Sequence, residues 1–91
     1  MGHIRRNKDA LTARVRRIAG QMVAVEKALE GDAGCSDILQ QVAAARGAIN
    51  GLMDELIADH LKEHVAAPDL TSAERTQGAD DLIAIIRRYA K

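Results

Sequence analysis

The chain has 91 residues, in which 13 basic and 13 acidic side chains cancel to zero net charge, and it contains one tyrosine, no tryptophan and no phenylalanine. This length predicts a single small domain over residues 1–91, and the shortage of aromatic rings argues against modules that bind single strands by stacking their bases. No segment reads as a membrane span or a signal peptide, and the lone cysteine cannot form an internal disulfide, so we expect a cytoplasmic protein without a membrane partner.

The first predicted helix covers residues 7–29. Its apolar residues recur at alternating spacings of four and three, a heptad-like stripe typical of a helix that packs against another helix. These residues are Leu11, Val15, Ile18, Met22, Val25 and Leu29. The Gly-Asp-Ala-Gly segment at residues 31–34 is expected to end the helix.

The second predicted helix begins at Cys35 or Ser36 and ends near Val65. Its main apolar stripe consists of Ile38, Val42, Ala45, Ile49, Leu52 and Leu56. Gly47 and Gly51 lie inside this helix, where a glycine costs about 1 kcal/mol relative to alanine. We therefore expect the backbone of a neighbouring helix to approach closely at these two positions.

A third helix is predicted after Pro68. Thr71 and Glu74 have the spacing of a capping box, in which each side chain bonds the backbone N–H of the other residue. An apolar face follows, made of Leu82, Ile83, Ile85, Ile86 and Tyr89.

Four potential metal ligands lie near the ends of these helices: His3, Cys35, His60 and His64. His60 and His64 are four residues apart, so on a helix they form a chelating pair on one face. A thiolate combined with imidazoles suits nickel, cobalt, zinc or copper better than calcium or magnesium. Cys35 is a candidate thiolate because the positive end of a helix dipole stabilises negative charge.

Each of these residues also has a simpler interpretation. Paired histidines on a helix surface are often accidental, and a lone cysteine such as Cys35 is often a small core residue. His3 lies in an N-terminal arm, where removal of Met1 would leave the Gly2 amine as a further ligand. A sphere of five or six such donors would favour cobalt or nickel over tetrahedral zinc.

The length of the second helix bears on assembly. At about 1.5 Å per residue, Cys35 and His60 would lie roughly 35–40 Å apart, too far to share one ion. Two copies packed antiparallel would bring the start of one helix to the end of the other. The sequence therefore predicts a metal site between subunits, present twice in a dimer.

Basic residues are concentrated near the N-terminus. Residues 1–30 contain seven basic and three acidic residues, whereas residues 31–67 contain two and six. This asymmetry indicates either a surface that faces a polyanion or a solvated helix face. The arginines that could reach phosphates are Arg14, Arg16, Arg17 and Arg46. No turn divides the first helix, so a helix-turn-helix that inserts into a DNA groove is not indicated.

No arrangement typical of catalysis is visible. The sequence has no H-E-x-x-H motif, nucleophile elbow or phosphate-binding loop, so we do not expect an enzyme. Asp54, Glu55, Asp59 and Glu63 are interpreted as solvated helix charges, with Glu63 as a candidate partner for a liganding imidazole.

Three segments resemble the CsoR/RcnR family of bacterial repressors: LTARVRRIAGQ at 11–21, LQQVAAARGAINGLM at 39–53 and HLKEH at 60–64. The resemblance implies an all-α fold with three helices per subunit. It also implies an antiparallel dimer with a four-helix-bundle core and a disc-shaped tetramer built from two such dimers. Such a repressor binds double-stranded operator DNA without its effector and releases the DNA when the effector binds. The implied DNA contacts are Arg14 and Arg46, then Arg17 and Arg16.

Subgroups of the family differ in their effector site. The nickel and cobalt sensors use a His-Cys-His-His set that matches His3, Cys35, His60 and His64. Copper sensors would need a cysteine at position 64. Formaldehyde sensors combine the cysteine with an N-terminal proline amine, where this chain has Gly2. The resemblance thus favours nickel or cobalt, with zinc or copper possible. The alternatives are a formaldehyde-responsive repressor that uses Cys35 and a metal-carrying bundle without a DNA role.

Overall fold

Residues 7–89 are described by the computed structural model, and they form three helices. These are α1 (Lys8–Glu30), α2 (Cys35–His64) and α3 (Ser72–Tyr89), and no strand occurs within the described range. The predicted all-α class and the three predicted helices are confirmed, with boundaries that differ by only a residue or two. None of the helices in this range is long and apolar enough to cross a membrane.

The break between α1 and α2 follows from local chemistry. The Gly31 N–H donates to the Lys27 carbonyl at 3.0 Å and the chain then leaves the helix in an extended conformation. The Gly34 carbonyl accepts from the Ile38 N–H at 3.1 Å, and this bond starts the next helix. Cys35 is therefore the first residue of α2.

Residues 7–53 form one compact unit, which contains α1 and the first part of α2. The two helices run antiparallel. Near the middle, Gln21 and Ala24 of α1 line a small cleft together with Gln41 and Ala44 of α2. Nearer the start of α1, Arg14 lies beside Gly51, further along α2. The buried apolar side chains of this unit are Leu11, Val25 and Ala45.

The two glycines of α2 behave differently from the prediction. A Cβ added to Gly51 would lie 3.1 Å from the Arg14 guanidinium, so the close neighbour is a side chain and not a helix backbone. A Cβ added to Gly47 would meet nothing within 4 Å. The expected close approach of helix backbones therefore does not occur at either position within one chain.

The described part of the second compact unit is residues 54–89, which hold the end of α2, a short connection and α3. The predicted capping box is confirmed at the start of α3. The Thr71 N–H donates to Glu74 Oε1 at 2.8 Å, and the Glu74 N–H donates to Thr71 Oγ1 at 3.1 Å. These bonds satisfy two of the backbone donors that a helix start leaves unpaired.

Arg75 joins α3 to the end of α2. Its guanidinium donates to the carbonyl oxygens of Val65, Ala67 (3.2 Å) and Leu70 (3.4 Å). Carbonyl groups at a helix end have no partner within the helix, and a cation there also interacts favourably with the helix dipole. Val65 directly follows α2, so Arg75 ties α3 to the connection just beyond the C-terminal end of α2.

Candidate metal centre and nucleic-acid surface

The last two turns of α2 place two imidazoles side by side. The His60 and His64 ring centroids are 4.8 Å apart with 44° between the ring planes, and both residues are half-buried. This proximity follows from their spacing of four residues on a helix. Two imidazoles in this arrangement can approach one ion from the same side.

The His60 ring is held by α3. Its Nε2 lies 2.9 Å from the carbonyl oxygen of Gly78. A carbonyl oxygen can only accept, so Nε2 carries a proton, which in the neutral ring is the Nε2–H tautomer. In this tautomer Nδ1 is the ring atom that could bind a metal ion.

A cleft of about 470 Å³ opens beside this pair. It is lined by His60, His64, Leu70, Glu74, Gln77, Gly78 and Asp81. Both carboxylates of this lining accept hydrogen bonds: Glu74 from Thr71, and Asp81 from the Gln77 side chain at 2.8 Å. Hydrogen bonds from Thr71 hold the pKa of Glu74 below its usual value of 4.5. The bond from the Thr71 backbone has the largest effect, followed by the bond from its side chain. Glu74 is therefore negatively charged at neutral pH, which favours cations in the cleft.

Cys35 lies at the opposite end of α2 from the histidine pair, as an exposed free thiol. His3 falls outside the described residues. Within residues 7–89, no three histidine, cysteine, aspartate or glutamate side chains lie close enough to hold a metal ion together. One chain therefore does not assemble the predicted ligand set within its described part. The donor types that are present, a thiol and imidazoles, do fit nickel, cobalt, zinc or copper.

The interpretation of Asp59 as a solvated charge was wrong. Asp59 is only 6% exposed, and Glu63 is half-buried with Oε1 enclosed by the protein. The sequence contains a signal for this burial. The spacings of three and four that connect Ile49, Leu52 and Leu56 continue to Asp59 and Glu63. These two acids therefore occupy positions of the apolar stripe on α2.

The four candidate DNA-binding arginines all belong to the unit at residues 7–53. Arg16, Arg17 and Arg46 are exposed, whereas Arg14 is half-buried. The absence of a side chain at Gly51 leaves room for the Arg14 guanidinium, which makes Gly51 a supporting residue that sequence reasoning did not connect with arginine. Exposed guanidinium groups present several N–H donors to phosphate oxygens at once.

Comparisons with known proteins agree with this architecture. The family model described as "metal-sensitive transcriptional repressor" matches residues 7–88. An uncharacterized protein of the bioA 5′ region of Serratia marcescens is 48% identical over the full length of both chains. The transcriptional repressor RcnR of Salmonella paratyphi B is 41% identical, also over the full length of both.

A solved structure is also similar. It is a variant of the formaldehyde-responsive regulator FrmR from Salmonella enterica serovar Typhimurium, with a TM-score of 0.85 and 43% identity. The match covers 92% of this chain and 94% of that one. Together with the family match and the RcnR relative, this likeness establishes the family. The chain belongs to the CsoR/RcnR family of metal-sensitive transcriptional repressors, proteins that bind operator DNA and are not enzymes.

Proposed function

We propose that this protein is a repressor that responds to nickel or cobalt. Without metal it binds double-stranded operator DNA in the cytoplasm as a homotetramer, and it releases the DNA when metal binds. Residues 1–91 act as one sensing and DNA-binding domain. The observation that supports this most is the pair of imidazoles at the end of α2, with ring centroids 4.8 Å apart, on a helix whose first residue is an exposed thiol.

Exposed apolar side chains on α1 and α2 support the assembly. Val15, Met22 and Leu29 are 49%, 46% and 65% exposed, and Val42 and Ile49 are 44% and 47% exposed. Apolar stripes of this kind are usually covered by another helix. We infer that a second copy covers them in an antiparallel dimer with a four-helix-bundle core, and that two dimers form the disc-shaped tetramer.

This assembly completes the metal site. Cys35 of one subunit meets the partner subunit's His60 and the partner subunit's His64, and His3 adds a further imidazole. The site is formed twice in each dimer. A thiolate, three imidazoles and the Gly2 amine make a sphere of five or six donors that favours nickel or cobalt, whereas a four-coordinate tetrahedral sphere would favour zinc, and copper also accepts such donors.

Metal binding would act on DNA binding through the shape of the assembly. In the metal-free tetramer, Arg14, Arg16, Arg17 and Arg46 contact operator phosphates. Metal joins two subunits at the dimer ends and favours a shape that fits the DNA less well. By thermodynamic linkage, metal weakens DNA binding only as far as it prefers that second shape, typically by about 1–3 kcal/mol.

A cobalt titration tests the proposal. The wild-type protein should develop a thiolate-to-cobalt charge-transfer band together with weak d–d bands of octahedral type. Cys35→Ala should lose the charge-transfer band and the metal response while it still binds operator DNA. Intense tetrahedral d–d bands would contradict the proposed sphere. The absence of any charge-transfer band would contradict Cys35 as a ligand.

A formaldehyde-responsive repressor is the second candidate. Cys35 favours it because the thiol is free and exposed, as a reaction with an aldehyde requires, and a similar solved structure is a variant of a formaldehyde-responsive regulator. A metal response requires His64 as a ligand, whereas a reaction of formaldehyde with Cys35 does not. His64→Ala should impair release of DNA by cobalt if the protein senses metal, but should leave release by formaldehyde unchanged. A wild-type protein that responds only to formaldehyde would replace the metal proposal.

A metal carrier without a DNA role is the third candidate. A carrier would still bind metal through the imidazole pair and the thiol, but its arginines would contact no DNA. A gel-shift assay with the metal-free protein and the promoter of its own gene separates the two functions. A shift that metal reverses supports the repressor, and no shift supports the carrier.

A further inference from the structure

We propose that the backbone carbonyl of Gly78 is a positioning group for the effector site, because it holds His60 in the tautomer that presents Nδ1 to a metal ion. The inference rests on the proposed function only in taking His60 as a ligand. It assigns a role to α3, a helix that carries none of the four predicted ligands.

The hydrogen bond selects one of the two neutral tautomers of the His60 imidazole. His60 Nε2 donates to the Gly78 carbonyl oxygen at 2.9 Å, an ordinary length for a bond of this kind. Because the bond is partly buried, water competes for it less than it would at an open surface. The alternative tautomer, with the proton on Nδ1, would place two lone pairs against each other at this contact.

The identity of residue 78 makes this bond possible. Gly78 is buried, and a Cβ at this position would overlap the His64 carbonyl oxygen and lie 2.8 Å from its carbonyl carbon. Any side chain would therefore push α3 away from the end of α2 and carry the acceptor away from His60. A glycine inside a helix weakens that helix relative to alanine, and this contact accounts for its presence here.

Neighbouring contacts keep the carbonyl in place. The capping box of Thr71 and Glu74 orders the first turn of α3. Arg75 then ties that turn to the carbonyls of Val65 and Ala67 in the connection that follows α2. Gly78 follows within one further turn, so the capping box and the Arg75 bonds together determine the position from which its carbonyl reaches His60.

This geometry has a known consequence for metal affinity. A histidine that binds a metal usually donates its other ring N–H to a carbonyl or carboxylate, which orients the ring and strengthens the ligand. Loss of such a partner typically weakens metal binding by about 10- to 100-fold. We expect a weakening of this size when the Gly78 carbonyl is displaced.

The first test is independent of metal. Nitrogen-15 NMR of the full-length, metal-free protein with labelled histidine reports which ring nitrogen carries the proton. His60 should be present mainly as the Nε2–H tautomer. A Nδ1–H tautomer, or the rapidly exchanging mixture of a free imidazole, would overturn the proposal. Because it uses the wild-type protein, this measurement is decisive even where a variant fails to fold.

The second test uses Gly78→Ala, with Gly20→Ala as the matched control because it is the same substitution inside a helix and a Cβ at Gly20 meets nothing within 4 Å. Circular dichroism verifies that both variants are helical. Gly78→Ala should bind cobalt about 10- to 100-fold more weakly and lose the Nε2–H preference of His60, whereas Gly20→Ala should match the wild type. Wild-type cobalt affinity in Gly78→Ala would overturn the inference alone. A wild-type protein that binds no cobalt would overturn the proposed function as well.

Discussion

Glu74 shows how a local hydrogen-bond pattern affects the chemistry beside the histidine pair. It caps α3 through Thr71 and at the same time lines the cleft that contains His60 and His64. Thr71 lowers the pKa of Glu74, so the carboxylate stays charged when many exposed acids begin to protonate. The cap and the electrostatics of the cleft therefore depend on the same side chain.

This lowered pKa predicts a pH dependence of stability. The folded-state pKa of Glu74 lies below its value of 4.5 in the unfolded chain. The capping box therefore contributes stability that is fully present above about pH 4.5 and is lost as the pH falls through the lower, folded-state pKa. Urea unfolding of the wild type between about pH 6 and pH 3 should show this loss.

Two variants isolate the contribution of Glu74. Glu74→Gln can still accept the bond from Thr71 but cannot titrate. The difference in free energy of unfolding between wild type and variant should therefore shrink as the pH falls. Asp69→Asn removes an exposed carboxylate from the preceding connection and serves as the control. An equal pH dependence of stability in wild type and Glu74→Gln would show that the titration of Glu74 in the capping box does not cause it.

At the scale of helices, α3 is bound to the end of α2 by the Arg75 guanidinium and by the close contact of Gly78. Both interactions involve backbone groups, the carbonyls of the connection after α2 for Arg75 and the His64 carbonyl for Gly78, so side-chain changes nearby would leave them in place. The last turn of α2, which carries His64, consequently packs directly against α3. In the proposed repressor, this arrangement gives α3 a role at the effector site although its apolar face, which includes Ile83 and Tyr89, is largely exposed.

Removal of the Arg75 clamp should destabilise the protein. Arg75→Met keeps much of the aliphatic stem but leaves partly buried carbonyl oxygens without a charged donor, at an expected cost of about 1–3 kcal/mol. Chemical denaturation at neutral pH measures the change. Arg87→Met, at an exposed position in the last turn of α3, should cost less than about 0.5 kcal/mol. Equal losses in the two variants would contradict the assigned role of Arg75.

At the scale of the whole molecule, the histidine pair and the candidate DNA contacts lie in different parts of the chain, whereas Cys35 lies in the same unit as the DNA contacts. The histidine pair belongs to residues 54–89, and the four arginines belong to residues 7–53. α2 is the one helix that enters both units and carries residues of both sets. In the proposed repressor, α2 thus connects the effector site to the DNA-binding surface within one chain.

Arg46→Ala should weaken operator binding by the metal-free protein. If the guanidinium neutralises a phosphate, the plot of log affinity against log salt should also flatten, by about 0.9 for each phosphate that is no longer neutralised. Fluorescence anisotropy over a range of salt concentrations measures both effects. Lys62→Ala removes an exposed cation near the histidine pair and is the control, with an unchanged slope expected. Wild-type affinity and slope in Arg46→Ala would rule out a role for this residue in DNA binding.

The features that sequence predicted well depend on residues close together along the chain. Helix boundaries follow from the glycines at residues 31–34, the capping box from Thr71 and Glu74, and the adjacent imidazoles from a spacing of four residues. In each case the deciding interactions span four residues or fewer, so a periodic pattern is enough to locate them. The resemblance to a repressor family, carried by short segments of α1 and α2, likewise needed no coordinates.

The remaining features depend on groups that are distant in sequence. The periodicity of α2 places Asp59 on the apolar face, but only packing of other parts of the chain against that face buries this carboxylate. The bond between His60 and Gly78 joins residues 18 positions apart, and the Arg75 clamp acts on backbone carbonyls, which have no sequence signature. Sequence alone therefore determined which residues form the helices and which side chains could bind an ion. Only the tertiary structure decided which nitrogen of His60 bonds to another helix, because the acceptor is the backbone carbonyl of Gly78.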